Sequence, residues 1–203
     1  MNTAKKRQTR MKPEDRERQL LSVAQSMFIE RGYQGTAMED IAKAAGVTRP
    51  VIYKRFGHKD NIYLACLQQA RERLNHYIVE SALQGNTLEE RLRGGIQGYF
   101  TFVEAEHQAW RFLYDSGVAV AGQAAQEATT MRFDTVNRIA ALLADLQPHF
   151  HSHEIQALAH ALSGAGEQMA KWWVTQPTVP KTLIVETLYQ MSLHWRLAAN
   201  REK

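Results

Sequence analysis

Residues 36–59, TAMEDIAKAAGVTRPVIYKRFGHK, read as two short helices joined by a tight turn. Thr36 stands where an N-cap belongs, and Glu39 three positions on completes the capping-box pattern, in which a hydroxyl and a carboxylate reciprocally satisfy the first free amides. Ile41, Ala42 and Ala45 recur at helical spacing and form one apolar face. Gly46 falls where the helix must end, in a left-handed conformation that glycine enters without a Cβ clash. Val47 is a small apolar plug behind that turn. Thr48 is positioned to cap a second helix, and Pro50 is tolerated in its first turn because that amide has no intrahelical partner. Ile52 and Phe56, four apart, point back toward Ile41 and Ala45. Thr48, Arg49, Val51, Tyr53 and Lys54 remain on the outer side.

Two short helices, a glycine turn and an outward polar face on the second helix are the pattern of a helix-turn-helix. Its second helix is expected to enter a DNA major groove. The stretch resembles the DNA-binding region of TetR-type bacterial transcriptional regulators. The resemblance rests on Arg31-Gly32-Tyr33, Thr36, Ile41-Ala42, Ala45-Gly46-Val47, Ile52-Tyr53, Phe56 and Lys59, in that order and spacing. It covers the first quarter to third of the chain by motif, and the remainder by architecture only. It implies an all-α protein: an N-terminal three-helix head, a connecting helix, and a C-terminal helical body for ligand binding and dimerisation.

The 203 residues can bury a sizeable core. No apolar run approaches the roughly 20 residues of a membrane helix, and the basic N-terminus has no apolar segment behind it, so neither a span nor a signal peptide is expected. Cys66 is the only cysteine, which excludes an intrachain disulfide and fits a cytoplasmic protein. Charge is uneven. Residues 1–60 carry 13 Lys and Arg against 7 Asp and Glu, whereas residues 61–203 carry 12 against 14. The basic excess belongs to the segment that holds the motif, as a polyanion partner requires.

Residues 1–12 hold five basic and no acidic side chains and read as a flexible basic arm. A helix is expected from Pro13 to about Arg31, with Phe28 joining Ile41, Val47, Ile52 and Phe56 in the core of a head domain at 13–60. His58 and Lys59 open the next helix, which runs to about Ala82. Thr87 and Glu90 form a second capping box. Helices follow to Glu106, over HQAWRFLY before Gly117, from about Val120 to Leu146 ahead of Pro148, over 153–175 and over 180–200, making an effector and dimer domain at 61–203. His149, His151 and His153 alternate in a helix connection. They read as surface residues beside a Ser152 cap rather than as a metal site.

For the reading helix, Arg49 can donate two hydrogen bonds to guanine O6 and N7, and Val51 can meet a thymine methyl. Thr36, Tyr53, His58 and Lys59 are expected against phosphates, with Thr48, Pro50 and Lys54 completing the surface. The family often has a hydroxyl residue where Val51 stands. By the same resemblance, an effector cavity is expected among Tyr99, Phe102, Trp110, Tyr114, Met131, Phe133 and Trp172, taking a largely apolar molecule. The last two helices are expected to form a homodimer through Ala157, Leu158, Ala161, Leu162, Ala165, Leu188, Met191 and Trp195, where small residues let helices approach closely. Two readers in a dimer call for an inverted-repeat operator in double-stranded DNA, with repression the commoner mode in the family.

No Gly-rich phosphate loop, metal-ligand set or nucleophile elbow points to an enzyme or a cofactor. The competing classes are a non-specific nucleoid-type DNA binder and a helical protein-interaction module without DNA binding.

Overall fold

The computed structural model describes residues 13–114, 123–146 and 150–199. Among the described residues every regular element is a helix: α1 (Pro13–Arg31), α2 (Met38–Ala44), α3 (Arg49–Phe56), α4 (Lys59–Ala82), α5 (Leu88–Ala105), α6 (His107–Tyr114), α7 (Gln123–Leu146), α8 (Ser152–Trp173) and α9 (Lys181–Ala199). They group into two compact units, one ending at Cys66 and one beginning at Leu67, so α4 starts in the first and continues into the second. The basic arm at 1–12, Gly117, Pro148, His149 and the side chain of Trp195 lie outside the described residues. No helix among those described is long and apolar enough to cross a membrane.

In the first unit, Leu20, Ala24, Phe28, Met38, Ile41, Ile52, Phe56 and Ile62 are buried and hold α1 to α4 around one core. Val47 is only half-buried, so it covers the turn rather than filling the core. The rings of Phe28, Tyr33 and Tyr63 pack edge-on or stacked with centroids 5.3–5.9 Å apart. The turn between α2 and α3 closes as a Schellman motif. Val47 N–H donates to Ala42 O at 2.9 Å and Gly46 N–H to Lys43 O at 3.2 Å. Gly46 has φ +66°, the left-handed value at which a Cβ would be strained.

The sequence misplaces one cap here. Thr36 does not cap α2: the N-cap is Ala37, which offers no side-chain bond. Thr36 is buried, and its hydroxyl donates to Gly32 O at 2.8 Å. Thr48 does stand at the N-cap of α3, although its hydroxyl makes no cap bond.

In the second unit, Thr87 and Glu90 form the expected capping box on α5. The α4–α5 crossing is unusually close. A Cβ at Gly94 would lie 2.4 Å from Ser81 O, and one at Gly98 only 2.3 Å from Tyr77 O. The main core joins Leu74, Ile96, Phe100, Phe102, Val103, Trp110, Ala170, Ile184 and Leu188. A second cluster, Val136, Ala140, Leu143, Ile155 and Ala159, seals α7 against α8. At the start of α8 the N-cap is His151, not Ser152; the His151 N–H donates to the Glu154 carboxylate at 2.7 Å.

Candidate nucleic-acid interface and cavity

α3 turns Ile52 and Phe56 inward and leaves Thr48, Arg49, Pro50, Val51, Tyr53 and Lys54 exposed. Val51 is 47% exposed. An eight-residue helix is held here by two buried anchors and the turn behind it, so its outer face is free to meet a groove.

Sequence reasoning did not anticipate the partner of that face. The Glu39 carboxylate, in the first turn of α2, accepts from Arg49 Nη2 at 2.8 Å and from the Tyr53 hydroxyl at 2.9 Å. The Arg49 guanidinium also lies 5.4 Å from the Tyr53 ring centroid. A backbone hydrogen bond at Glu39, then the Tyr53 hydroxyl and the Arg49 charge, hold this carboxyl below the usual range. Two side chains expected on DNA therefore share one carboxylate oxygen.

Two expected phosphate contacts stand differently. Thr36 is buried, so its hydroxyl is spent inside the unit and cannot reach a phosphate. The Lys59 ammonium donates to Tyr33 O at 2.9 Å and sits 4.3 Å from the Tyr33 ring centroid. It closes the α1–α2 connection, which Tyr33 also ties to Asp60 through its hydroxyl. His58 is exposed.

In the second unit a cavity of about 110 Å³ lies among α4, α5, α7 and α8, with Tyr114 of α6 and Leu188 of α9 closing it. Its walls are aliphatic: Leu74, Ile78, Leu92, Ile96, Ile139, Leu143, Leu162 and Leu188. Leu88 and Leu142, 41% and 43% exposed, mark its mouth, with Arg91 and Asp145 beside them. Tyr99, Tyr114 and the buried Thr135 mark the far end. Burial pushes the Tyr114 phenol up to about 12, and the Tyr99 phenol is also raised by burial, so both stay neutral.

Of the aromatic residues expected to line a cavity, Tyr99 and Tyr114 do so. Phe102 and Trp110 are fully packed in the core. Met131 is half-buried and outside the lining. Phe133 and Trp172 are about half exposed on the surface. α7 turns Thr135, Ile139 and Leu142 inward, and Phe133, two residues from Thr135, is rotated away by the helical period.

The expected dimer residues also divide. Ala157 and Ala161 are exposed on α8, and Gly164 beside them has open space around it. Leu158, Ala165 and Met191 are half-buried. Leu162 and Leu188 are buried in the cavity wall of their own chain, where they cannot face a partner.

Known proteins share this fold. The family model described as bacterial regulatory proteins of the tetR family matches residues 20–66, and that described as the tetracyclin repressor-like C-terminal domain matches residues 88–194, just over half of the chain. The chain is 30% identical over 176 residues to the HTH-type transcriptional activator FasR of Mycolicibacterium smegmatis, covering 83% of this chain and 77% of that one. A TetR-like regulator from Rhodococcus sp. RHA1 superposes with a TM-score of 0.74 at 26% identity, covering 94% of this chain and 99% of that one. The regulator FadR of Bacillus subtilis, solved in complex with stearoyl-CoA, shares the fold with a TM-score of 0.73 at 15% identity, over 86% of this chain and 96% of that one. The chain belongs to the TetR family of bacterial regulatory proteins and is a DNA-binding transcriptional regulator, not an enzyme.

Proposed function

We propose that the protein binds an inverted-repeat operator as a homodimer in the cytoplasm and is released from it by a small, largely apolar effector. Residues 13–60 serve as the DNA-binding domain and 61–203 as the effector and dimer domain. α3 lies in the major groove, Arg49 donates to guanine, Val51 meets a thymine methyl, and Thr48, Pro50, Tyr53, Lys54 and His58 line the backbone. The carrying observation is the exposed row Thr48, Arg49, Val51, Tyr53 and Lys54 on a helix whose other face is locked by Ile52 and Phe56.

The aliphatic cavity supports the effector half of this reading, since its walls select hydrocarbon. FadR, solved with stearoyl-CoA, is a relative in fold whose ligand carries such a chain. An effector that prefers the state unable to bind DNA weakens DNA binding by the same coupling free energy. Whether release switches genes on or off then depends on where the operator lies relative to the promoter. The relative FasR is named an activator, the three AcnR relatives repressors.

Selection of bound sequences from random duplexes tests the proposal. The expected product is a palindrome with half-sites about one helical turn or a multiple apart. In the same selection Arg49→Ala is expected to relax one base position in each half-site, a loss of about 1–3 kcal/mol. Recovery of random sequence by the wild-type protein would reject sequence-specific binding.

A further inference from the structure

The cavity has two chemically different ends, and this gives its ligand a direction. Leu88 and Arg91 on α5 stand near Leu142 and Asp145 on α7 at the mouth. Eleven residues further along α5, Tyr99 reaches the far end, where α7, running the other way, presents Thr135. At the helical rise the two ends are separated by about 16 Å. Everything between them that lines the cavity is aliphatic or glycine, apart from Ser163 on α8.

The far end is built of hydroxyls with protons to give. Thr135 Oγ1 accepts from Arg71 Nη1 at 3.0 Å, which leaves its own proton for another acceptor and polarises it as a donor. Tyr99 Oη accepts from Trp110 Nε1 at 3.2 Å, which holds that ring and leaves its proton likewise. Tyr114 lines the same end, its ring 6.4 Å from that of Tyr99, and among the described residues no hydrogen bond reaches its hydroxyl. Burial keeps both phenols protonated, so they act as donors. A hydroxyl that faces the cavity with its proton uncommitted can donate to a ligand oxygen, which a pure hydrocarbon lacks. The charges that bear on Tyr114 are of both signs: Arg71 and Arg132 against Glu167, whose carboxylate is already bonded to Arg132 at 3.0 Å and Lys171 at 2.7 Å. The hydroxyls at this end are neutral donors, and a ligand oxygen is what they can bond.

We infer that the cavity takes an aliphatic carbonyl compound oxygen-end first, with Tyr114 and Thr135 donating to the carbonyl oxygen and the hydrocarbon filling the channel toward Leu88 and Leu142. This rests on the cavity being the effector site and adds the ligand's class and orientation. Tyr114 and Thr135 are thereby the residues that set specificity, and the leucine and isoleucine walls supply affinity.

The test is a titration of the full-length protein with 2-octanone and with octane, followed by tryptophan fluorescence, for which Trp110 beside Tyr99 is a local reporter. The wild-type protein is expected to bind the ketone about tenfold more tightly than the hydrocarbon, as one added hydrogen bond allows. Tyr114→Phe is expected to remove most of that preference while leaving octane within about twofold. Thr135→Val is expected to act in the same direction, and Thr135→Ser, which restores the hydroxyl, to recover the preference. Circular dichroism melting of each variant confirms that the unit is folded. Equal loss for both ligands in Tyr114→Phe overturns the inference, as does octane binding as tightly as the ketone. It is also overturned if an acyl thioester, whose large head must stay at Leu88 and Arg91, binds more tightly than the ketone and is indifferent to Tyr114→Phe. If neither octane nor 2-octanone binds, the effector-site reading falls as well, which separates the two failures.

Discussion

The Glu39 carboxylate holds Arg49 and Tyr53 through a single oxygen, and its removal acts on them in two opposing ways. It takes a negative charge from a surface meant for phosphates, so binding to every sequence strengthens. It also releases the Arg49 side chain from a fixed rotamer, so discrimination at the guanine weakens. Glu39→Ala is therefore expected to raise affinity for random DNA and to lower the ratio of operator to random binding by roughly tenfold. Competition titrations across a salt series check this; an unchanged ratio would show that Glu39 acts by charge alone. Thr36 belongs to the interior. Thr36→Val removes the one hydroxyl proton that lies between Gly32 O and Met27 O and is expected to cost about 1–3 kcal/mol of folding free energy. Urea midpoints report that loss, while the folded fraction keeps its operator affinity. The S/T-x-x-E pattern occurs at both Thr36 and Thr87, yet only Thr87 forms the box. At Thr36 the carbonyl of Gly32 is within reach, and the hydroxyl is drawn inward to it. The pattern reports a local option; the competing acceptor is set by the path of the preceding turn and is invisible in spacing alone.

Among the elements, the periodicity of apolar residues and the turn glycines are enough to read α1 to α5 and the order of the others. What periodicity leaves open is which face of a doubly apolar helix turns inward. On α7, Met131 and Phe133 compete on hydrophobicity with Ile139, Leu142 and Leu143, and the last three line the cavity. Resemblance places a cavity among the body's aromatic residues without saying which of them are core, and Phe102 and Trp110 are taken up by close packing. The α4–α5 crossing shows a related limit. Gly94 and Gly98, four apart, lie against the backbone carbonyls of Ser81 and Tyr77, an approach that only the absence of a side chain allows. Nothing in a lone glycine pair names its partner helix. Gly98→Ala would place a methyl 2.3 Å from Tyr77 O, and since the obstacle is backbone, the helices themselves must separate. The expected cost is about 1–3 kcal/mol, read as a lowered melting temperature. Because α4 and α5 supply Ile78 and Ile96 to the cavity wall, weaker 2-octanone binding at temperatures where the variant is folded is expected too.

For the whole molecule, the proposed inverted repeat is useful only to a protein that presents two α3 helices at once, so the proposal requires a dimer. A two-fold pair must bury the same patch on both copies. In the second unit, α8 leaves Ala157, Ala161, Gly164, Gln168 and Trp172 uncovered along one line, and α9 leaves Leu183 and Thr187. Trp172 and Leu183, 51% and 54% exposed, are large apolar side chains that the chain's own core does not use, while Ala161 and Gly164 permit backbones to approach. Of the other residues that the sequence places in the interface, Leu162 and Leu188 line the cavity; a dimer built on the exposed line leaves that wall intact. Ala161→Glu places an unpaired carboxylate at the centre of the shared patch on both copies, where two like charges face each other across the axis. Sedimentation equilibrium is expected to fall from twice to once the 23.2 kDa chain mass, with helical content and 2-octanone binding retained. Operator affinity is expected to drop about 100-fold or more, since the second half-site no longer gains from the first being bound, while binding to a single half-site changes little. A variant that stays dimeric with full operator affinity would move the interface away from the exposed line of α8.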